Sequence, residues 1–313
     1  MLNKILNLKQ VRIYLIVIAL FGLLACSSQA APLRVSMLMA EEAGTYQEFA
    51  QAFVSEAQRQ NISLNVLQAA TLPSDTDLIV AVGLKSAQVA STSHFPVLCV
   101  LVTKASFEKL LHELPSYRKQ NTFSAIYFDQ PIKRQVAMIV AALPEAKNIG
   151  LLLSAHSPDP TNFRKAISEN GLKLHEQKLG SADSLFLDLE SVLKVSDVLL
   201  AVPDVDVYNS LTMRNILLAT YRRRIPIVGF SQAYVRAGAL GAVFSTPGQI
   251  AIQAAYLSRQ FMEKNILPTA QYPTEFDVMV NQQVARSLGI SIKENSVLVR
   301  EIMTATNAKE GAE

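Results

Sequence analysis

The chain has no tryptophan, only four histidines and only two cysteines in 313 residues. The histidines, His94, His112, His156 and His175, are scattered without the spacing a metal site needs, so no metal or other cofactor is expected. Cys26 and Cys99 cannot form the disulfide framework of a small secreted domain. Neither a glycine-rich phosphate loop nor a serine-centred elbow is present, since Val82-Gly-Leu-Lys lacks the needed glycines. Nothing in the sequence assembles a catalytic constellation, and an enzyme is not expected. Glu41-Glu42 reads as part of a solvated loop rather than a working carboxylate pair. Arg222-Arg-Arg224 reads as the cationic end of a helix, where positive charge favours the dipole, and no nucleic-acid partner is expected.

The first 25 residues lack any acidic side chain. Lys4, Lys9 and Arg12 precede an uncharged apolar run from Ile13 to Ala25, the layout of a secretory signal. This run is too short to span a bilayer comfortably, and no second apolar stretch is long enough to do so. Leu23-Leu24-Ala25-Cys26 resembles a bacterial lipobox. That resemblance implies cleavage after residue 25 and lipidation of Cys26, with acyl chains (palmitate among them) holding the mature protein on a membrane. An uncleaved anchor helix, or a plain signal peptide with a chance cysteine, is the alternative. The chain carries 29 basic and 26 acidic residues, and the leader accounts for the whole excess, so the mature part is formally neutral. Cys99 lies in the apolar run Pro96–Val102 and reads as a buried structural thiol.

After the short polar tether 26–32, continuous apolar runs alternate with helical patterns. Strands are expected at Leu33–Leu38, Leu64–Gln68, Asp77–Gly83, Pro96–Val102 and Phe123–Phe128, with a helix from Thr45 to Gln60 and helical stretches at Ser86–Ala90 and Phe107–Leu111. A second series follows Asp129-Gln130-Pro131. Its strands are Asn148–Ser154, Leu172–Leu179, Asp197–Val202 and Pro226–Ser231, and its helices are 132–143, 161–169 and 206–222. Strands without polar alternation, separated by helices, indicate parallel sheets covered on both faces. The rhythm occurs twice, which implies an α/β chain of two doubly wound lobes. About 288 residues beyond the leader suffice for both cores.

Several segments, in order, resemble the substrate-binding proteins of bacterial ABC importers, in the family that includes tryptophan- and tyrosine-binding lipoproteins. They are Asp77–Ala90, Asp129–Gln135, Leu143–Leu152, Ala201–Asp204, Ile225–Ser231, Tyr234–Leu240, Tyr272–Asn281 and Ala285–Ile290. The resemblance covers about 75–290. The chain departs from it in a shortened beginning, in the first loop Met39–Gly44, and in Gly229-Phe-Ser231 where relatives often have Gly-Ser-Asp. It implies a periplasmic binding protein-like fold of type I, whose lobes are joined by a three-crossover hinge. The first lobe is expected over 32–128 plus 246–268 and the second over 129–245 plus 269–306, with a C-terminal tail at 307–313. The crossovers would fall near Phe128–Gln130, Ser245–Pro247 and Pro268–Phe276.

Ligands of doubly wound sheets bind beyond the carboxyl ends of the strands. Gly83, Leu84 and Ser86 form a turn that suits a ligand carboxylate, or Ser86 simply caps the next helix. Pro203 and Asp204 follow another strand. Asp204 is placed to take a ligand ammonium, or to cap helix 206–222. Asp129 and Gln130 stand at the first crossover, where the family combines hinge and ligand contacts, and an N-cap before Pro131 is the other reading. Ser231 and Gln232 offer a hydroxyl and an amide. The expectation is a lipid-anchored, periplasm-facing protein that traps a small amino-acid-like solute by hinge closure and presents it to ABC permease subunits. Ser27 after the lipidation site is compatible with the outer membrane, which suggests the alternative of a sensor or regulator of an envelope protein.

Overall fold

The computed structural model describes residues 33–41, 44–68, 71–115, 122–155, 157, 159–181 and 184–310. The expected signal, Cys26 and the tether lie outside the described residues, as do Glu42 and His156. No helix among the described residues is long and apolar enough to cross a membrane.

Two sheets organise the chain. The first contains β1 (Leu33–Met39), β2 (Ile62–Gln68), β3 (Leu78–Val82), β4 (Val97–Val102) and β5 (Phe123–Tyr127) in the order β2-β1-β3-β4-β5, all parallel. The second contains β6 (Asn148–Leu153), β7 (Lys173–Lys178), β8 (Val198–Leu200), β9 (Ile227–Gly229), β10 (Gly241–Phe244) and β11 (Asp277–Val280). Its order β7-β6-β8-β9-β10-β11 repeats the winding of the first sheet and adds β11 antiparallel to β10. This is the doubly wound arrangement that the two rhythms imply.

The apolar runs have no polar alternation because both faces of each sheet are covered. In the first sheet, Met37, Val80, Leu98 and Ile126 pack on one face with α1 (Gly44–Arg59) and α9 (Pro247–Lys264). Leu38, Ile79, Cys99 and Ala125 pack on the other with α2 (Gly83–Ser91) and α3 (Lys104–Glu113). Cys99 stands between Ala81 and Ala125 in the ladder, fully buried, and burial pushes its thiol far above the usual range. In the second lobe, α4 (Ile132–Ala142), α5 (Thr161–Ser168), α6 (Leu185–Leu193) and α7 (Met213–Arg222) contribute to one core with the C-terminal α11 (Asn295–Glu310). The remaining helices are α8 (Gln232–Ala237) and α10 (Gln282–Leu288).

Three expectations change in detail. The helix expected over 206–222 begins only at Met213. The Asn209 side chain accepts from the N–H groups of Leu211 and Thr212, and the Thr212 hydroxyl donates to the Val207 carbonyl. These local bonds hold the stretch after Asp204 in turns. Gln271, given to the second lobe by the sequence, exchanges backbone hydrogen bonds with Ala125 and Tyr127 beside β5. At the C-terminus, helix α11 runs through Glu310, past the end expected at 306.

The chain passes between lobes at Phe128–Pro131, at Ser245–Thr246 and after Gln271. Thr246 accepts from the Gln249 N–H and the Gln249 side chain accepts from the Thr246 N–H, with Pro247 starting α9. This capping box fixes where the second crossover ends.

Candidate ligand-binding cleft

The carboxyl ends of the parallel strands carry the candidate site. In the first lobe they lead to Glu41 after β1, Gly83 after β3, Thr103 after β4 and Phe128 after β5. A cavity of about 350 Å³ lies at this edge, lined by Glu41, Thr45, Tyr46, Leu101 and Phe128. Two backbone features shape it. Leu101 has φ +55°, a conformation that bulky residues rarely adopt, at a point where the β4–β5 register shifts between Val100 and Val102. The extra residue turns Leu101 toward the face that Val100 occupies and lets Val102 take the opposite one. Gly83 has φ +80°, and a Cβ there would lie 2.8 Å from Tyr46 Oη. The glycine thus lets the Tyr46 ring close against the turn between β3 and α2. Burial raises the Tyr46 phenol above its ordinary range, and the Glu41 charge adds to the effect.

Helix α2 starts directly at Gly83, after Val82, with no side-chain cap. Ser86 therefore does not cap the helix. It is fully buried within α2, and its hydroxyl has no partner among the described residues. Leu84 is partly exposed, at 36%.

At the first crossover, Asp129 does not cap the helix that follows, because Pro131 occupies that place. Its Oδ2 instead accepts from the Lys104 N–H at 2.6 Å, at the start of α3, and its Oδ1 is buried without a partner among the described residues. Burial raises the carboxyl to about 6, against the opposing pull of the Lys104 N–H and charge. Gln130 joins the crossovers. Its Nε2 donates to Ser245 Oγ at 2.8 Å, and Ser245 Oγ donates to the Glu275 carbonyl at 2.5 Å. Arg134 donates to Gln130 Oε1 at 2.6 Å and to the Pro273 carbonyl at 3.1 Å, with its guanidinium 4.3 Å from the Phe276 ring centre. All three crossovers meet in this buried network.

In the second lobe the expected contacts are occupied locally. Asp204 Oδ2 accepts from the Ser154 N–H at 2.8 Å and from the Ser157 hydroxyl, and Oδ1 accepts from the Asp206 N–H at 3.2 Å. It ties the ends of β6 and β8 together and caps no helix. Pro203 lies in the turn beside it, half-buried. Ser231 caps α8, accepting from the Tyr234 N–H, and Gln232 Oε1 accepts from Arg236. Phe230 packs on Tyr234 with ring centres 4.6 Å apart.

The structure thus brings Gly83 together with Tyr46, and Gln130 with Ser245. It adds Glu41, Tyr46, Leu101, Phe128, Arg134 and Ser245, which the sequence reading did not select. Glu41 lies two residues past the end of β1, and that position was the available signal. No group of three or more metal-ligating side chains occurs among the described residues. The arrangement offers a carboxylate and two aromatic residues around one cavity, close to the crossovers, which suits binding.

Residues 45–304 match the family model described as ABC transporter substrate binding protein. The chain belongs to this family. Solved structures of similar shape include a conserved domain protein from Vibrio cholerae O1 biovar El Tor, at 18% identity, covering 87% of this chain and 98% of that one, with a TM-score of 0.61. An ABC domain from Streptococcus pneumonia, in complex with L-Trp, is 16% identical, covering 86% of this chain and 98% of that one, with a TM-score of 0.63. The ligand-free, open structure of a substrate binding protein with adhesive properties from Clostridium difficile is 17% identical, covering 84% of this chain and 97% of that one, with a TM-score of 0.68. Among curated proteins, none matches this binding protein. At these identities the likeness shows the fold, the type I periplasmic binding protein fold, and leaves the solute to the residues of the cleft.

Proposed function

We propose that this ABC substrate-binding protein is a non-catalytic, lipid-anchored component of an importer. It captures a small amino-acid-like solute between its lobes and presents the closed form to permease subunits at the membrane. The observation that carries this reading is the joint. Three crossovers meet in one network of Gln130, Arg134, Ser245 and the backbone of Pro273 and Glu275, beside strand ends that bear a cavity. A joint of this kind supports hinge closure around a ligand. Gly83, Leu84 and Ser86 are proposed to meet the solute from the first lobe, with Asp129 and Gln130 at the hinge. From the second lobe we propose Pro203, Asp204, Ser231 and Gln232. The uncapped start of α2 supplies free N–H groups for a carboxylate.

The test is a thermal-shift screen of amino acids and related metabolites, followed by calorimetric titration. A solute at a hundred times its dissociation constant raises stability by about 2.7 kcal/mol. Loss of fatty-acid incorporation in Cys26→Ser tests the anchor; equal incorporation in the mutant refutes it. Ser27 supports a second reading, an outer-membrane sensor or regulator built on the same fold. Membrane fractionation separates the two.

A further inference from the structure

Among the described residues, three carboxylates stand near the carboxyl ends of the parallel strands: Glu41, Asp129 and Asp204. Asp204 accepts from Ser154, Ser157 and Asp206 of its own lobe. Asp129 accepts from the Lys104 N–H and lies in the field of the Lys104 ammonium. Glu41 differs from both. It is exposed at the mouth of the 350 Å³ cavity, and among the described residues no lysine, arginine or histidine pairs with it. The residues that line the cavity with it include Tyr46, Phe128 and Leu101.

We infer that Glu41, Tyr46 and Phe128 form a subsite for an organic ammonium group, so that the solute carries a positively charged nitrogen and Glu41, rather than Asp204, receives it. The inference rests on the solute-capture reading and narrows its ligand class. Aromatic faces attract a cation through their negative quadrupole, and a carboxylate at the rim supplies the compensating charge. The walls are held in place before any ligand arrives. Tyr46 Oη sits where a side chain at residue 83 would be, and the left-handed Leu101 is fixed by the β4–β5 register shift. A preset pocket loses little ordering freedom on binding. The Glu41 charge already reaches the Tyr46 phenol, which places carboxylate and ring within electrostatic range of one another. A cavity of this volume takes the ammonium end of a small molecule.

The experiment uses the full-length protein in a non-ionic detergent. Thermal shift and calorimetry are run with three sets: the L-amino acids; choline, putrescine and 2-phenylethylamine as ammonium compounds; and 3-phenylpropionate and butyrate as carboxylates without nitrogen. Every compound that binds is expected to carry an ammonium group. Glu41→Gln is expected to weaken that binding at least tenfold, with an unchanged melting temperature in the absence of solute, because Glu41 is exposed. Phe128→Leu is expected to weaken it severalfold. Binding that survives Glu41→Gln unchanged, or carboxylates that bind as well as their ammonium counterparts, would overturn the subsite while leaving solute capture standing. If no compound of any set binds, solute capture falls and the subsite falls with it.

Discussion

Gln130 and Ser245 lie 115 positions apart in the chain, and their side chains meet in a buried hydrogen bond of 2.8 Å. One belongs to the first crossover and the other to the second. The Ser245 hydroxyl passes the connection on to Glu275 in the third. The crossovers are thus joined through side chains. Gln130→Ala removes a donor to Ser245 and an acceptor for Arg134. It is expected to lower unfolding free energy by about 1–3 kcal/mol, the range for breaking buried polar contacts. Chemical denaturation checks this. Combining it with Ser245→Ala is expected to cost less than the two single losses together, because both act on one network. Strict additivity would show that the two residues work independently.

Asp129 provides a pH signature. Its carboxyl titrates near 6 in the folded protein, raised chiefly by burial from an ordinary value of 3.8. The folded state therefore holds this proton more tightly than the unfolded chain. The sign follows directly: Asp129 makes folding less favourable as pH rises from about 4 to about 6, and the full cost is present above that. Asp129→Asn is expected to gain roughly 1–3 kcal/mol over the parent above pH 6, with the gain shrinking toward pH 4. Unfolding free energies of both proteins across this window decide it. A difference independent of pH would remove Asp129 as the titrating group.

Gly83→Ala meets two obstacles. The residue has φ +80°, and the new Cβ would contact Tyr46 Oη at 2.8 Å. A loss of about 1–3 kcal/mol is expected from the backbone strain alone. Tyr46→Ala added to it relieves the contact and leaves the strain. The double variant should therefore show a melting temperature above that expected from adding the two single losses.

Asp204→Ala removes the carboxylate that the Ser154 N–H and the Ser157 hydroxyl both donate to, and the Ser154 N–H keeps its 3.1 Å bond to Ser157 Oγ. Stability is expected to fall by about 1–3 kcal/mol, more than a lost helix cap would cost. Calorimetric titration of the variant with its solute then reports any direct contact separately from the melting curve. A melting temperature equal to that of the parent would show that the bridge between the ends of β6 and β8 carries no weight.

The parallel strands were legible because their signal is local. Leu78–Val82 and Val97–Val102 are apolar at every position, and only a strand covered on both faces buries such a run. The start of α9 was equally local, with Thr246, Pro247 and Gln249 spelling a cap within four residues. The turns after Asp204 were hidden by an apolar pattern that suits a helix, and the Asn209 and Thr212 bonds override it.

The cleft was legible only in part, since strand ends can be placed from sequence while their partners cannot. Nothing in Glu41-Glu42 distinguishes a solvated loop from a cavity rim until Tyr46, Leu101 and Phe128 converge on it. Nothing in Asp204 shows that Ser154 and Ser157 have already claimed it. The sequence by itself determined the two doubly wound lobes and the turn at Gly83, because apolar continuity and φ preference act within a few residues. Tertiary structure alone decided which carboxylates are already hydrogen-bonded within the protein and which side chains join the crossovers. Those outcomes depend on groups far apart in the chain, whose hydrogen bonds exist only once both lobes have folded.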